Sequence, residues 1–275
     1  MTLPDIPPLE HGDRLTRYEF ERRYNAMPNL KKAELIEGVV YMPSQQRVKR
    51  PSIEVPPLEN GDRLTRYEFE RRYEAMPNVK KAELIDGVVY MASPVRFESH
   101  GRPHSDAIAW LGVYRAATPG VYLADNTTVR LDADNEPQPD ALLRLDPSVG
   151  GQSRISDDDY VEGAPELIVE IAASSASYDL HSKLNLYRRH EVQEYLVWQV
   201  RDKLFTWFRL KEGEYLPLEP DATGIVQSVV FPGLWLAVQA LLDGDLASVL
   251  AVLQEGLNTP EHADFVKRLS ENQSL

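Results

Sequence analysis

The sequence contains no cysteine, so disulfide bonds and thiolate metal sites are excluded for this chain. It also has no apolar run near the roughly 18 residues that a membrane-spanning helix requires, and we therefore expect no membrane anchor. The amino terminus lacks a basic segment followed by an apolar stretch, which is the pattern of a signal peptide. These absences together favour a cytoplasmic protein with no membrane partner.

Positive charge is also scarce. Among 275 residues, 30 lysines and arginines stand against 43 acidic residues, which gives a net charge of −13. Because phosphate binding depends on lysine and arginine, this balance argues against broad, non-specific affinity for nucleic acid. The excess is concentrated between Asp125 and Glu170, where twelve acidic residues and three arginines give −9. We interpret most of this band as a solvated face, although it also suits a carboxylate cluster that needs a cation.

One segment near the amino terminus occurs twice. Residues 7–42 return as residues 56–91, and only four of the 36 aligned positions differ. Two copies are too few for a solenoid, so we interpret them as a local duplication. Each copy predicts a short helix followed by a strand hairpin, with Thr65 as the helix cap and Asp86-Gly87 as the hairpin turn of the second copy.

This repetition suggests two domains. Residues 1–55 are expected to be an appendage that consists of the first helix–hairpin copy and a polar linker at residues 44–55. The first copy could also be a competing substitute for the second. Residues 56–275 are expected to form the functional domain, in which only the second copy is continuous with the remaining chain.

The rest of this domain has the pattern of a mixed α/β protein. ELIVEIAAS, from residue 166, is an apolar run with the character of a buried central strand. A helical segment, DLHSKLNLYRRHEV, follows it, and then two strand segments, EYLVWQV and KLFTWFRL. The order of strands and helices favours a mixed β-sheet flanked by helices over a regular doubly wound sheet.

Three features of this domain could carry chemistry. Asp140 follows a proline and opens a strand, so its carboxylate is expected at a strand end. Glu170 lies inside an apolar run, where a carboxylate is costly unless it has a cation or strong hydrogen bonds. Glu166 begins the same run, and we expect it to face solvent. Asp179, Lys183 and Tyr187 are spaced by four in the next helix, so they share one face. For Lys183 alone an exposed ion pair with Asp179 is the better explanation, but next to Glu170 it becomes a candidate to orient a nucleophile or neutralise phosphate charge.

The residues resemble a known family at this point. ELIDGVVYMASP, a histidine-containing helix, PQPDALL, GAPELIVEIAASS, DLHSKLNLYRRHEVQEYLVW and FPGLWL match, in this order, the Uma-two family of restriction-endonuclease-like proteins in the PD-(D/E)xK nuclease superfamily. The match covers about residues 56 to 245. The resemblance implies a restriction-endonuclease-like core.

The resemblance also implies an active site. Asp140 and Glu170 would be metal-binding carboxylates, and Glu83 would be an accessory acid. The lysine of the superfamily normally stands two residues after the second acid, but here that position is Ala172. The resemblance therefore assigns the role to Lys183 in the next helix. The expected cofactor is Mg²⁺, with Mn²⁺ as a substitute, and the expected reaction is hydrolysis of phosphodiester bonds in DNA.

Two other functions compete with an endonuclease. A nucleic-acid- or protein-binding module could keep the same fold without catalysis, and the extra amino-terminal copy favours this alternative slightly. A purely structural protein would explain the fold but not Glu170. A homodimer is a candidate assembly, because cleavage of both DNA strands favours two sites related by symmetry.

Overall fold

The computed structural model of the chain describes residues 6–10, 12–27, 30, 32–36, 38–42, 55–91, 95–172 and 177–272, with the backbone alone at residues 177–180 and 272. Its internal contacts divide the chain into two compact units, Met1–Val55 and Pro56–Leu275. Residues 44–54 of the predicted linker lie outside the described part. The two units are therefore considered separately.

The amino-terminal unit contains one helix and one hairpin among its described residues. Helix α1 spans Arg17–Asn25 and begins after Thr16, whose side chain accepts a hydrogen bond from the Glu19 amide. Strands β1 (Glu34–Ile36) and β2 (Val39–Tyr41) pair in antiparallel fashion. A small apolar cluster, centred on Leu9 and Val40, holds the helix to the hairpin.

The second unit begins with the same elements. Helix α2 spans Arg66–Glu74, and strands β3 (Ala82–Ile85) and β4 (Val88–Met91) form an antiparallel hairpin. Thr65 Oγ1 accepts the Glu68 amide, so the predicted cap is present. Asp86 and Gly87 both have positive φ, at 50° and 71°. A two-residue hairpin turn of type I′ requires this geometry, which explains why Asp-Gly stands at the turn.

The remaining elements follow in chain order. A π-helical turn, Phe97–Gly101, leads into α3 (Arg102–Ala117), and the other helices are α4 (Ser177–Arg189), α5 (Val238–Asp243), α6 (Leu246–Leu257) and α7 (Pro260–Asn272). The strands are β5 (Val121–Asp125), β6 (Val129–Arg130), β7 (Ala141–Leu145), β8 (Arg154–Ile155), β9 (Val161–Glu162), β10 (Leu167–Ala172), β11 (Glu194–Gln199), β12 (Leu204–Lys211), β13 (Glu214–Pro217), β14 (Ile225–Gln227) and β15 (Trp235–Ala237).

A six-stranded sheet forms the centre of this unit, with the order β13-β12-β11-β10-β7-β5. The pair β10–β11 is parallel, and the other neighbours in this sheet are antiparallel. Helix α4 connects the parallel pair, as a crossover between parallel strands requires. The prediction of a mixed sheet flanked by helices is therefore confirmed.

Both faces of the sheet are covered, and alternate residues of each central strand divide between them. In β10, Leu167 and Val169 pack with α3, α6 and α7 on one face, while Ile168 packs with α4 and the β3–β4 hairpin on the other. On the first face, Trp110 meets Trp207 edge-on at 5.7 Å between ring centroids. This double coverage explains why β10 reads as a nearly continuous apolar run.

The β3–β4 hairpin is attached to the core by backbone hydrogen bonds to Asp134 and Glu136. Leu84 forms an isolated antiparallel bridge with Glu136, with N–O distances of 3.2 and 2.7 Å. The Gly87 amide donates to the Asp134 carbonyl at 2.9 Å. These bonds fix the register of β3 against the core and so determine where its side chains point.

No helix in the described part of the chain is both long enough and apolar enough to span a lipid bilayer.

Candidate active site

Asp140 and Glu170 are neighbours on adjacent strands. Strands β7 and β10 pair in antiparallel fashion, with Ala141 opposite Val169. The next position along this register places Asp140 opposite Glu170, so both side chains lie on the same face of the sheet. The Ile171 amide donates to Asp140 Oδ2 at 2.8 Å. Strand pairing therefore brings together two acids that are 30 residues apart in the sequence.

Helix α4 supplies the partners of Glu170. Lys183 Nζ lies 2.9 Å from Glu170 Oε1, and the Tyr187 hydroxyl donates to the same oxygen at 2.7 Å. Lys183 and Tyr187 are one helical turn apart, so both reach the sheet from one face of the helix. All three side chains are buried. Among the described residues, the hydrogen bonds to the Glu170 side chain end on Oε1.

Glu83 joins this group from strand β3. Lys183 Nζ also lies 2.9 Å from Glu83 Oε1, so one ammonium group bridges two carboxylates. The Gln138 amide donates to the same Glu83 oxygen at 2.8 Å. The structure thus places all four residues singled out from the sequence in one cluster, at the end of strands β7 and β10. Their chemical roles remain predictions.

Asp140 has two further partners that are not among the four predicted site residues. Lys81 Nζ and His100 Nε2 each lie 3.3 Å from Asp140 Oδ1. Lys81 precedes strand β3 and is two residues from Glu83, a spacing that puts both side chains on one side of an extended segment. This spacing was the available signal for Lys81.

The histidine pair at the start of α3 faces the same acid. His104 Nε2 lies 3.0 Å from the Asp140 carbonyl oxygen and 2.9 Å from Asp125 Oδ1. Both neighbours are acceptors, so Nε2 of His104 carries a proton and donates to them. The four-residue spacing of His100 and His104, which resembles that of metal ligands, therefore serves here to hold the start of β7.

Burial and pairing set the ionisation of the two central acids in opposite directions. Burial alone would raise the pKa of Asp140, but the hydrogen bond from His100, the charge of Lys81 and the Ile171 amide lower this pKa well below its usual range. Burial raises the pKa of Glu170 to about 7, and Lys183 opposes that rise only in part. Asp140 is accordingly anionic at neutral pH, whereas Glu170 is close to its titration point.

Lys183 stays protonated in this environment. Burial alone would lower its pKa, but the two carboxylates of Glu170 and Glu83 raise the pKa above its ordinary value. The proton that is exchanged near neutral pH therefore belongs to Glu170 rather than to Lys183. A permanent cation between two acids holds them together while one of them titrates.

Two other acids of the sheet are buried without belonging to this cluster. Glu166, expected to face solvent, is 1% exposed and accepts hydrogen bonds from the Leu145 and Gln152 amides, both at 2.7 Å, so that expectation was wrong. Glu194 is also buried and accepts bonds from Trp207 Nε1 and Ser228 Oγ. Neutral donors satisfy both of these acids. Glu170 instead contacts the ammonium group of Lys183, which also contacts Glu83.

The donor set of the cluster is compatible with Mg²⁺. Magnesium commonly binds through one or two carboxylates and retains several waters. Asp140 and Glu170 provide two such carboxylates on one face of the sheet, and Lys81, His100 and Lys183 would have to share their oxygens with an ion. Among the described residues, no group of three or more His, Cys, Asp or Glu side chains is placed to hold a metal.

Comparison with known proteins finds one family model and several solved structures. The model of the family Uma2, described as "Putative restriction endonuclease", matches residues 67–239, which is more than half of the chain. A crystal structure of "a putative nuclease belonging to DUF820 from Anabaena variabilis ATCC 29413" is similar over 63% of this chain and 97% of that chain, at 13% sequence identity and a TM-score of 0.48. No curated protein matches the chain. The family match confirms the resemblance that the sequence motifs indicated.

Proposed function

The chain belongs to the Uma2 family, and from this premise we propose that it is a Mg²⁺-dependent endonuclease that hydrolyses phosphodiester bonds in DNA. The observation that carries the proposal is the convergence of Asp140, Glu170 and Lys183 at the end of one pair of strands, with Glu83 attached through Lys183. A buried carboxylate pair with an adjoining ammonium group is suited to binding a cation and stabilising phosphate charge.

In this proposal Asp140 and Glu170 hold the ion. Mg²⁺, or Mn²⁺ in its place, would lower the pKa of a bound water and offset the negative charge of the phosphate. Tyr187 orients Glu170 by donating to Oε1, and the Ile171 amide orients Asp140 through Oδ2. Lys183 holds Glu170 and Glu83 in place and can direct its remaining hydrogen toward the attacking water.

One observation favours the alternative, a catalytically silent nucleic-acid-binding module. Two lysines and one histidine already contact the two central carboxylates. Lys81 and His100 contact Asp140, and Lys183 contacts Glu170. An ion must compete with these contacts, and a site in which they persist would bind nucleic acid without hydrolysing it. Calorimetric titration with millimolar Mg²⁺ separates the two functions. Only the enzyme requires Mg²⁺ binding that is lost when Asp140 or Glu170 is substituted.

The proposed activity is tested by nicking of supercoiled plasmid DNA in the presence of Mg²⁺. We expect Asp140→Asn and Glu170→Gln to reduce the rate by at least about 100-fold, the upper range observed when partners of metal ligands are lost. Glu83→Gln should also reduce the rate, and Glu34→Gln is its matched control, because Glu34 occupies in the first copy the position that Glu83 has in the second. Equal activity in the parent and in both site variants would identify a contaminating nuclease and remove the proposal.

A homodimer belongs to the same proposal. Cleavage of both strands of a duplex is achieved most simply by two active sites related by a twofold axis. Sedimentation analysis with and without DNA measures the assembly directly, independently of the nicking assay.

A further inference from the structure

Lys81 and His100 approach Asp140 from two different elements. Lys81 comes from the segment before strand β3, and His100 comes from the π-helical turn before helix α3. Both place a nitrogen 3.3 Å from the same oxygen, Asp140 Oδ1. Lys81 Nζ has a second neighbour, Asn126 Oδ1, at 3.2 Å. Two donors therefore converge on one oxygen at the rim of the cluster.

These two donors are more accessible than Lys183. The side chain of Lys81 is 25% exposed and that of His100 is 18% exposed, whereas that of Lys183 is 10% exposed. Lys183 is also held more closely, because its two carboxylate contacts are 2.9 Å long, whereas Lys81 lies 3.2 Å from the Asn126 amide oxygen and 3.3 Å from the Asp140 carboxylate. An anion that approaches the buried acids from solvent meets Lys81 and His100 first.

The charge around the cluster makes such a contact necessary. Asp140, Glu170 and Glu83 lie together, and Asp125 is close to His104 at the same end of the sheet. A phosphate brought next to these acids is repelled unless positive charge faces it. Other nucleic-acid-binding proteins supply this positive charge from a broad basic surface. Because this chain carries a net charge of −13, a specific lysine must supply it here.

We propose that Lys81 Nζ and His100 Nε2 form the subsite that binds a backbone phosphate of the nucleic acid, while Lys183 remains with its two carboxylates. This inference rests on the proposed nuclease function. It assigns phosphate binding to Lys81 and the positioning of the carboxylates to Lys183. The ammonium group of Lys81 acts as a compact point charge toward the phosphate. His100 adds a directed hydrogen bond from the π-helical turn that precedes α3.

The chain offers a matched control for Lys81. Lys32 occupies the corresponding position in the first copy, within the same sequence KKAEL, and pairs there with Glu34 at 3.0 Å on an exposed surface. Lys81→Met and Lys32→Met therefore remove the same charge from the same local sequence. Lys81→Met removes it from the cluster around Asp140, and Lys32→Met removes it from the ion pair with Glu34.

The experiment measures the affinity of the full chain for a fluorescent DNA duplex by anisotropy, in EDTA, over a range of salt concentrations. For a lysine that contacts a phosphate, we expect Lys81→Met to weaken binding and to reduce the slope of log K against log salt by about 0.9. Lys32→Met should leave the slope of the parent unchanged, and Lys81→Arg should restore it. Tryptophan fluorescence checks that each variant is folded.

The outcomes separate this inference from the proposed activity. An unchanged slope in Lys81→Met, together with tighter Mg²⁺ binding by calorimetry, would show that Lys81 only neutralises Asp140, and the inference would be wrong. A parent chain without measurable affinity for the duplex would also overturn it. A reduced slope in Lys81→Met, combined with a parent that fails to nick plasmid DNA, would support the phosphate subsite and remove the nuclease proposal.

Discussion

Replacing Lys183 with methionine removes the ammonium group that two buried carboxylates share. Lys183 Nζ lies 2.9 Å from one oxygen of Glu170 and from one oxygen of Glu83. Loss of one partner from a buried ion pair leaves an uncompensated charge and costs about 3–5 kcal/mol. Methionine retains much of the apolar stem of lysine, so the substitution reports mainly on the charge. We expect the free energy of unfolding of the unit Pro56–Leu275 to fall by about 3–5 kcal/mol at pH 8.

The size of this loss should depend on pH. Burial raises the pKa of Glu170 from its ordinary value of 4.5 to about 7, so the folded state holds this proton more tightly than the unfolded state does. The contribution of a protonated Glu170 is therefore lost as pH rises through about 7. Without Lys183 the pKa of Glu170 rises further, because the opposing cation is gone. The destabilisation should consequently be smaller at pH 6 than at pH 8.

Urea denaturation followed by tryptophan fluorescence measures this effect in the correct unit, since all four tryptophans, Trp110, Trp198, Trp207 and Trp235, lie in Pro56–Leu275. The double variant Lys183→Met/Glu170→Gln should recover part of the lost stability, because it removes one of the two uncompensated charges. A loss below about 1 kcal/mol at both pH values, as for an exposed ion pair, would refute the reasoning.

Two further predictions concern the attachment of the second helix–hairpin. Burial, and then the neighbouring Glu70, raise the pKa of Glu136 to about 8, so the parent should lose about 1.4 kcal/mol per pH unit relative to Glu136→Gln as pH rises from about 5 to about 8. Parallel stability curves in urea titrations would contradict this. Thr65→Ala should cost about 1 kcal/mol in the tryptophan-detected transition through loss of the helix cap, and Thr16→Ala, its counterpart in the first unit, should leave that transition unchanged.

Much of the fold followed from local patterns. The apolar run ending in IVEIA predicts a strand covered on both faces, and β10 is such a strand. The Asp-Gly turn and the Thr65 cap predict the hairpin and helix of the second copy, and both are present. These features depend on residues close in sequence, so their physical causes are visible without the fold. The strand order cannot be predicted in this way, because it depends on which strands pair at long range in the sequence.

The partners of the acids were harder to predict. Glu170 and Glu166 lie in the same apolar run, four residues apart, and both are buried. Glu166 is satisfied by two backbone amides, Leu145 at the end of strand β7 and Gln152 in the segment after it, whose approach no local pattern indicates. Burial of an acid therefore does not by itself mark a functional site. The distinguishing property of Glu170 is that its partners are ionisable side chains, and that property becomes visible only when α4 packs on the sheet.

The repeated segment shows the same limit most directly. Lys32 and Glu34 in the first copy have the same flanking residues as Lys81 and Glu83 in the second, so no local argument distinguishes the two pairs. Yet Lys32, which precedes strand β1, pairs with Glu34 at the start of that strand, whereas Lys81 reaches Asp140 and Glu83 reaches Lys183. The second pair is separated because strand β3 is hydrogen-bonded to Glu136 through Leu84 and is thereby fixed beside the end of β7. The chemistry available to Lys81 and Glu83 thus comes from the sheet they meet, and a motif search that scores local sequence would assign the same role to Lys32 and Glu34.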